Sequence, residues 1–204
     1  MKLLNYNKVL CFSPHPDDVE ISMGGTILKN IDTHFTIIVF NTSTIENSVP
    51  IETRWKECKA FWKGVPNVTL APVNLHLKSL TEDAWIHELE KVYDLSKYDA
   101  IFLPPELDTH YEHKLVNNIG MAMTRSIPVS VFQYRSASTL DTWIPNMFVN
   151  VAISATDKIK RLQSFPSQDP IFFSEQFMRA FHTHLNSTRK CLEFTEQFKI
   201  VLLY

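Results

Sequence analysis

Apolar residues along the chain fall into continuous runs separated by stretches of helical spacing. The runs are Val9 to Phe12, Phe35 to Phe40, Val68 to Val73, Ala100 to Leu103, Val129 to Tyr134 and Phe148 to Ile153. Their unbroken apolar character predicts strands covered on both faces. Between them, Trp55, Cys58, Phe61 and Trp62 share one helical face, Trp85, Leu89, Val92 and Tyr93 another, and Leu115, Val116, Ile119, Ala122 and Met123 a third. Thr81 stands where the second of these helices needs an N-cap. Strand and helix in alternation predict right-handed crossovers and a mostly parallel sheet, a three-layer α/β domain. Residues 1–204 read as a single domain, with a mainly helical C-terminal segment from about residue 155. There Phe177, Phe181, Leu185, Thr188, Leu192, Thr195 and Phe198 follow a helical stripe before the apolar end Ile200 to Leu203.

Composition narrows the partners. The 204 residues are 45% hydrophobic and 21% charged, with a formal net charge of −2 and a pI near 6.4. No basic field is available to gather phosphates or anionic lipid, so neither nucleic acid nor membrane is an expected partner. The run Val9 to Phe12 is too short for a signal-peptide core or a membrane span, which predicts a cytoplasmic protein. Cys11, Cys58 and Cys191 share no CxxC spacing and read as reduced, buried thiols. With only four glycines in the chain, the adjacent pair Gly24-Gly25 points to a close backbone approach. It lacks the G-x-G-x-x-G spacing of a dinucleotide loop.

Two clusters carry chemistry. Ser13-Pro14-His15-Pro16-Asp17-Asp18-Val19-Glu20 follows the first strand, and Pro104-Pro105-Glu106-Leu107-Asp108-Thr109-His110-Tyr111-Glu112-His113 follows the fourth. In a doubly wound, Rossmann-like order, strands one and four flank the reversal point, and the loops at their carboxyl ends meet in the ligand crevice. His15, Asp18 and His113 would offer a cation two imidazoles and one carboxylate, leaving a position for water, as catalytic zinc sites do. A second carboxylate, Asp17, stands beside them to take a proton.

His15-Pro16-Asp17-Asp18-Val19-Glu20 with Gly24-Gly25-Thr26 resembles the signature of the zinc-dependent GlcNAc deacetylase family, the LmbE-like or PIG-L family. Asp108-Thr109-His110-Tyr111-Glu112-His113 resembles that family's D-x-H-x-D-H motif, and Arg54, Glu57, Gly64, Pro145-Asn146, Lys158, Ser167-Gln168, Glu196 and Phe198 add weaker similarities. The resemblance implies removal of an acetyl group from an N-acetylated amino-sugar conjugate, a small-molecule partner, with Zn2+, or another divalent ion such as Fe2+, as cofactor. It gives His15, Asp18 and His113 to the metal, the general base to Asp17, and oxyanion stabilisation to His110 as an imidazolium. Glu112 replaces the family's usual Asp and is expected to orient His110 or hold its charge. The family's frequent aspartate after the third strand has no counterpart in Asn74 to Lys78.

Arg54 is either a solvated helix charge or, as the resemblance implies, a clamp on the sugar or its substituent, and Tyr134 and Arg135, leaving strand five at the crevice end, are candidate sugar hydrogen-bonders. Lys158 reads as a solvated helix residue, and His182-Thr183-His184 as a metal-like spacing whose rings diverge on a helix. A homo-oligomer is compatible with the sequence. The alternative reading is a sugar- or nucleotide-sugar-binding module on the same fold without turnover. Asp17 separates the two, because binding alone needs no carboxylate beside a metal-bound water.

Overall fold

A computed structural model describes residues 6–40, 49–186, 189–192 and 194–204, with backbone alone for residue 51 and for those of 184–192. The side chains of His184, Leu185, Cys191 and Leu192, and Thr188 altogether, lie outside the described residues. The first strand, β1 (Lys8–Ser13), leads into α1 (Asp18–Lys29), followed by β2 (His34–Val39), α2 (Ile51–Phe61) and β3 (Val68–Pro72). Then come α3 (Glu82–Val92), β4 (Ala100–Leu103), α4 (Tyr111–Met123), β5 (Ser130–Tyr134), β6 (Met147–Asn150), α5 (Ala152–Leu162) and α6 (Glu175–His182). The last strands are β7 (His184–Asn186), β8 (Arg189–Leu192) and β9 (Thr195–Leu202).

Seven strands form one sheet in the order β3-β2-β1-β4-β5-β9-β6. Strands β3, β2, β1, β4 and β5 pair in parallel, and β9 runs antiparallel to both β5 and β6. Alternate residues feed two cores: Val9, Cys11, Ala100 and Phe102 face one side, with α1, α2 and α5. Leu10, Phe12, Ile101 and Leu103 face the other, with α3 and α4. That is the three-layer α/β arrangement with a mostly parallel sheet expected from the continuous apolar runs. Thr81 caps α3, its hydroxyl accepting the Ala84 N–H at 3.3 Å.

The C-terminal segment differs from its helical expectation. Helices α5 and α6 are present, but Thr195–Leu202 is a strand inside the main sheet. Phe177 and Phe181 do lie on helix α6, but Thr195 and Phe198 do not continue its stripe, because β9 is claimed by pairing with β5 and β6, where the β-branched and aromatic Thr195, Phe198, Ile200 and Val201 fit a pleated surface. Strand β6 stops at Asn150, short of Ile153, because the Asn150 carboxamide accepts the Ala152 N–H at 2.9 Å and turns the chain into α5. No helix among the described residues is long and apolar enough to cross a membrane.

Candidate active site

Because β1 and β4 are hydrogen-bonded neighbours, their carboxyl ends deliver both clusters to one place. The Ser13 hydroxyl donates to the His15 carbonyl at 2.7 Å and so folds the β1–α1 loop back on itself. Asp17 sits at the N-cap of α1 but makes no side-chain cap, which leaves its carboxylate to accept from Arg54 Nη2 at 3.0 Å. Asp18 instead turns towards the loop, accepting the His15 backbone N–H at 2.9 Å.

The centre of the cluster is Asp18. His15 Nδ1 lies 3.1 Å from its Oδ2, and His113 Nε2 lies 3.3 Å from its Oδ1. The far nitrogen of each ring meets another carboxylate: His15 Nε2 is 2.7 Å from Glu112 Oε2, and His113 Nδ1 is 2.9 Å from Asp108 Oδ2. Asp108 also accepts from the Ser136 hydroxyl, and its other oxygen takes the His110 backbone N–H at 2.7 Å. His15, Asp18 and His113 each present a ligand atom, all within 4.8 Å of one another, and so do His15, His110 and Glu112. His110 is the N-cap of α4, its Nδ1 accepting the Glu112 N–H at 3.3 Å, and its ring stacks on His113 with centroids 4.8 Å apart.

Electrostatics follow from this packing. Burial works against a charged His113, yet Asp18 and Asp108 together raise its pKa to about 9. Asp108 is buried too, but its bonds to His113 and Ser136 pull it down to about 2. Asp18 goes the same way: burial opposes its charge, and His113 and His15 overcome that and hold it well below the usual carboxylate range. Burial raises Asp17 against the lowering pull of Arg54. His110 is lowered, by burial first and then by the neighbouring imidazoles His15 and His113. These influences favour the neutral ring over the imidazolium that the resemblance implies, the raising pull of Glu112 being the weaker.

A cavity of about 300 Å3 opens on this cluster, with Arg54, Ala137, Ser138, Gln168 and Phe173 among its walls. A larger one of about 720 Å3 shares Gln168 and Phe173 with it but contains no histidine or aspartate, so the chemistry belongs to the smaller. Arg54 lines this cavity. Tyr134 does not: it is fully buried, and its hydroxyl donates to the Phe12 carbonyl at 2.8 Å. Its position at the end of β5 points it into the core layer rather than the crevice. Arg135 also lies elsewhere, over the Phe181 ring at 4.8 Å and in a separate cavity with Asp141 and Trp143. The residue that sequence reasoning left without a role is Asp108, although its motif contains it. Glu112 likewise finds an unforeseen partner in His15.

The family model described as PIG-L, GlcNAc-PI de-N-acetylase, matches residues 10–124, a stretch that holds both clusters. The chain belongs to the PIG-L family. Among solved structures, it is similar to N,N'-diacetylchitobiose deacetylase from Pyrococcus horikoshii, with 20% identity, a TM-score of 0.78, and 97% of this chain and 85% of that one covered. A conserved protein from Thermus thermophilus shares 19% identity at a TM-score of 0.75, with 96% of each chain covered. GalB, the 4-carboxy-2-hydroxymuconate hydratase from Pseudomonas putida, superposes at a TM-score of 0.73 with 11% identity and 97% of both chains covered. Such identities establish a common fold, and a hydratase among them shows that the fold alone does not name a reaction.

Proposed function

We propose that this PIG-L family chain is a zinc-dependent N-deacetylase of an N-acetylglucosamine-type conjugate, with His15, Asp18 and His113 as metal ligands. The observation that carries the reading is the paired arrangement around Asp18. With the His15 Nε2 hydrogen on Glu112 and the His113 Nδ1 hydrogen on Asp108, the remaining ring lone pairs both face the Asp18 carboxylate. Carboxylate-held imidazoles of this kind are the usual support for metal-ligating histidines. The trio containing His110 fits a cation less well, because His110 Nδ1 already accepts the Glu112 N–H. The carboxylates of Asp18 and Asp108, which raise the His113 pKa to about 9, favour positive charge at this position and support the reading.

Zinc, or another divalent ion such as Fe2+, would supply a water with its pKa lowered to about 7 and a Lewis acid for the acetyl carbonyl. Asp17 accepts the proton released as the amide carbon is attacked, and burial makes it a stronger base than an exposed aspartate. Arg54 fixes the carboxylate's direction through its 3.0 Å bond. His110, neutral with Nδ1 accepting, carries its hydrogen on Nε2 and donates it to the carbonyl oxygen as charge develops there. Asp17, newly protonated, is the source of the proton the leaving amine needs. We read residues 1–204 as one catalytic domain acting on a small molecule in the cytoplasm, in keeping with the free buried thiols of Cys11 and Cys58.

The test is amine release from a panel of N-acetylglucosamine conjugates by zinc-loaded protein, run beside Asp17→Asn. The variant is expected to keep its metal and lose roughly 10² to 10⁴ in rate. Near-normal turnover by Asp17→Asn, or no amine release from any conjugate by the wild type, overturns the assignment.

A further inference from the structure

In an α-helix each N–H bonds to the carbonyl four residues before it, a ladder that relates Gly25 to Ile21 and Thr26 to Ser22. In α1 the Gly25 and Thr26 N–H groups donate to the two oxygens of Glu196, at 2.8 and 2.6 Å. The Ile21 carbonyl accepts from Lys158 Nζ at 2.5 Å. Lys158 and Glu196 are themselves 2.6 Å apart, and both side chains are fully buried. The remaining ammonium donation goes to His182 Nε2 at 2.8 Å. An ion pair built from α5 and β9 thus enters one turn of α1 from the side, its cation on the carbonyl and its anion on the amides.

Gly25 makes room for it, since a Cβ there would stand 2.9 Å from Glu196 Oε1 and 3.0 Å from Val151. A buried ion pair returns little net stability against an apolar replacement, so stability is a weak account of it. Its bonds to the helix backbone all fall on the turn that follows the catalytic one. The Ile21 N–H in turn holds the Asp17 carbonyl at 2.9 Å, and Ile21 lines the site cavity. Charged groups fixed to a helix's carbonyl and to the amides one turn on hold that turn in place against the elements that carry them.

We propose that Lys158 and Glu196 are positioning residues, a wedge that sets the direction of the first turn of α1 and thereby places Asp17 and Asp18. The proposal rests on the reading of Asp17 as proton acceptor and Asp18 as metal ligand. The double variant Lys158→Met/Glu196→Leu removes both charges at once, together with their bonds to the α1 backbone, and Glu196→Gln serves if the double variant does not fold. Backbone amide NMR signals of Asp17, Asp18 and Ile21 should move. Zn2+ affinity, read by competition with a chromophoric chelator, should weaken about 10- to 100-fold, as when a ligand's support is lost. Turnover should fall through kcat with KM held within about twofold. Leu89→Ala, in the other core layer, should lower Tm and leave zinc affinity as in the wild type. Unmoved Asp17 and Asp18 signals, or wild-type zinc affinity and kcat in a merely less stable variant, overturn the wedge. Moved signals in a protein whose wild type binds no zinc uphold the wedge and overturn the functional reading.

Discussion

His113 is gripped on both ring nitrogens by carboxylates, and in the proposed metal site its proton is the one a cation must displace. Asp18 and Asp108 raise the His113 pKa to about 9, so the ring is protonated at neutral pH and has to become neutral before it can serve as the proposed ligand. Zinc binding should therefore release a proton below pH 9, and apparent affinity should climb by up to about tenfold per pH unit before levelling. Calorimetry in two buffers of different ionisation enthalpy measures that proton, and binding without proton release at pH 7 contradicts it. Asp108→Asn removes one of the two groups that raise this pKa, and should also cost about 10- to 100-fold in affinity. His110 poses the opposite case. Burial and two neighbouring imidazoles lower its pKa, which favours the neutral ring, and in the proposed role of N–H donor it should not set an alkaline limb of the pH profile. His110→Ala should lower kcat by about 10²- to 10³-fold with the alkaline side of the profile unchanged in shape. Loss of an alkaline limb in that variant would restore the imidazolium.

Helix α4 carries one of the site's histidines, is capped by another, and depends on a close approach to β4. A Cβ on Gly120 would stand 2.3 Å from Leu103 Cδ2, and Leu103 is fully buried. Gly120→Ala should cost about 1–3 kcal/mol of stability by overpacking, measurable by denaturant unfolding, where a neutral result would mean that Leu103 repacks freely. The central strands and α2 to α4 were legible in the sequence because each strand is apolar on both faces and each helix on one. The ending was not. Strand β9 alternates Glu196 and Phe198 with Thr195 and Gln197, and its buried polar residues broke the apolar run that betrayed the other strands. Glu196 is inside because Lys158 and two backbone amides of α1 meet it there, partners that no local spacing reveals. The Gly24-Gly25 pair did signal a close approach, and Lys158, which reads as solvated from its helix position, proves to be one of the groups approaching.

At the scale of the molecule, topology makes the site: adjacency of β1 and β4 brings His15, Asp17 and Asp18 to His110 and His113 across the sheet's reversal point. That much followed from the motifs and the alternation of elements. The supports did not, since the strand-end position of Tyr134 suggests the crevice while its ring faces the core, and Asp108 and Ser136 come together only when the loops after β4 and β5 fold against each other. The central claim is that a cation held by His15, Asp18 and His113 makes this cleft an N-deacetylase. Amine release from an N-acetylglucosamine conjugate, followed while Zn2+ is added back to metal-free protein, tests it most directly. The account predicts release that rises in proportion to bound zinc, saturates at one ion per chain, and stays flat in His113→Ala. Equal release by the metal-free protein, or by His113→Ala, would contradict it.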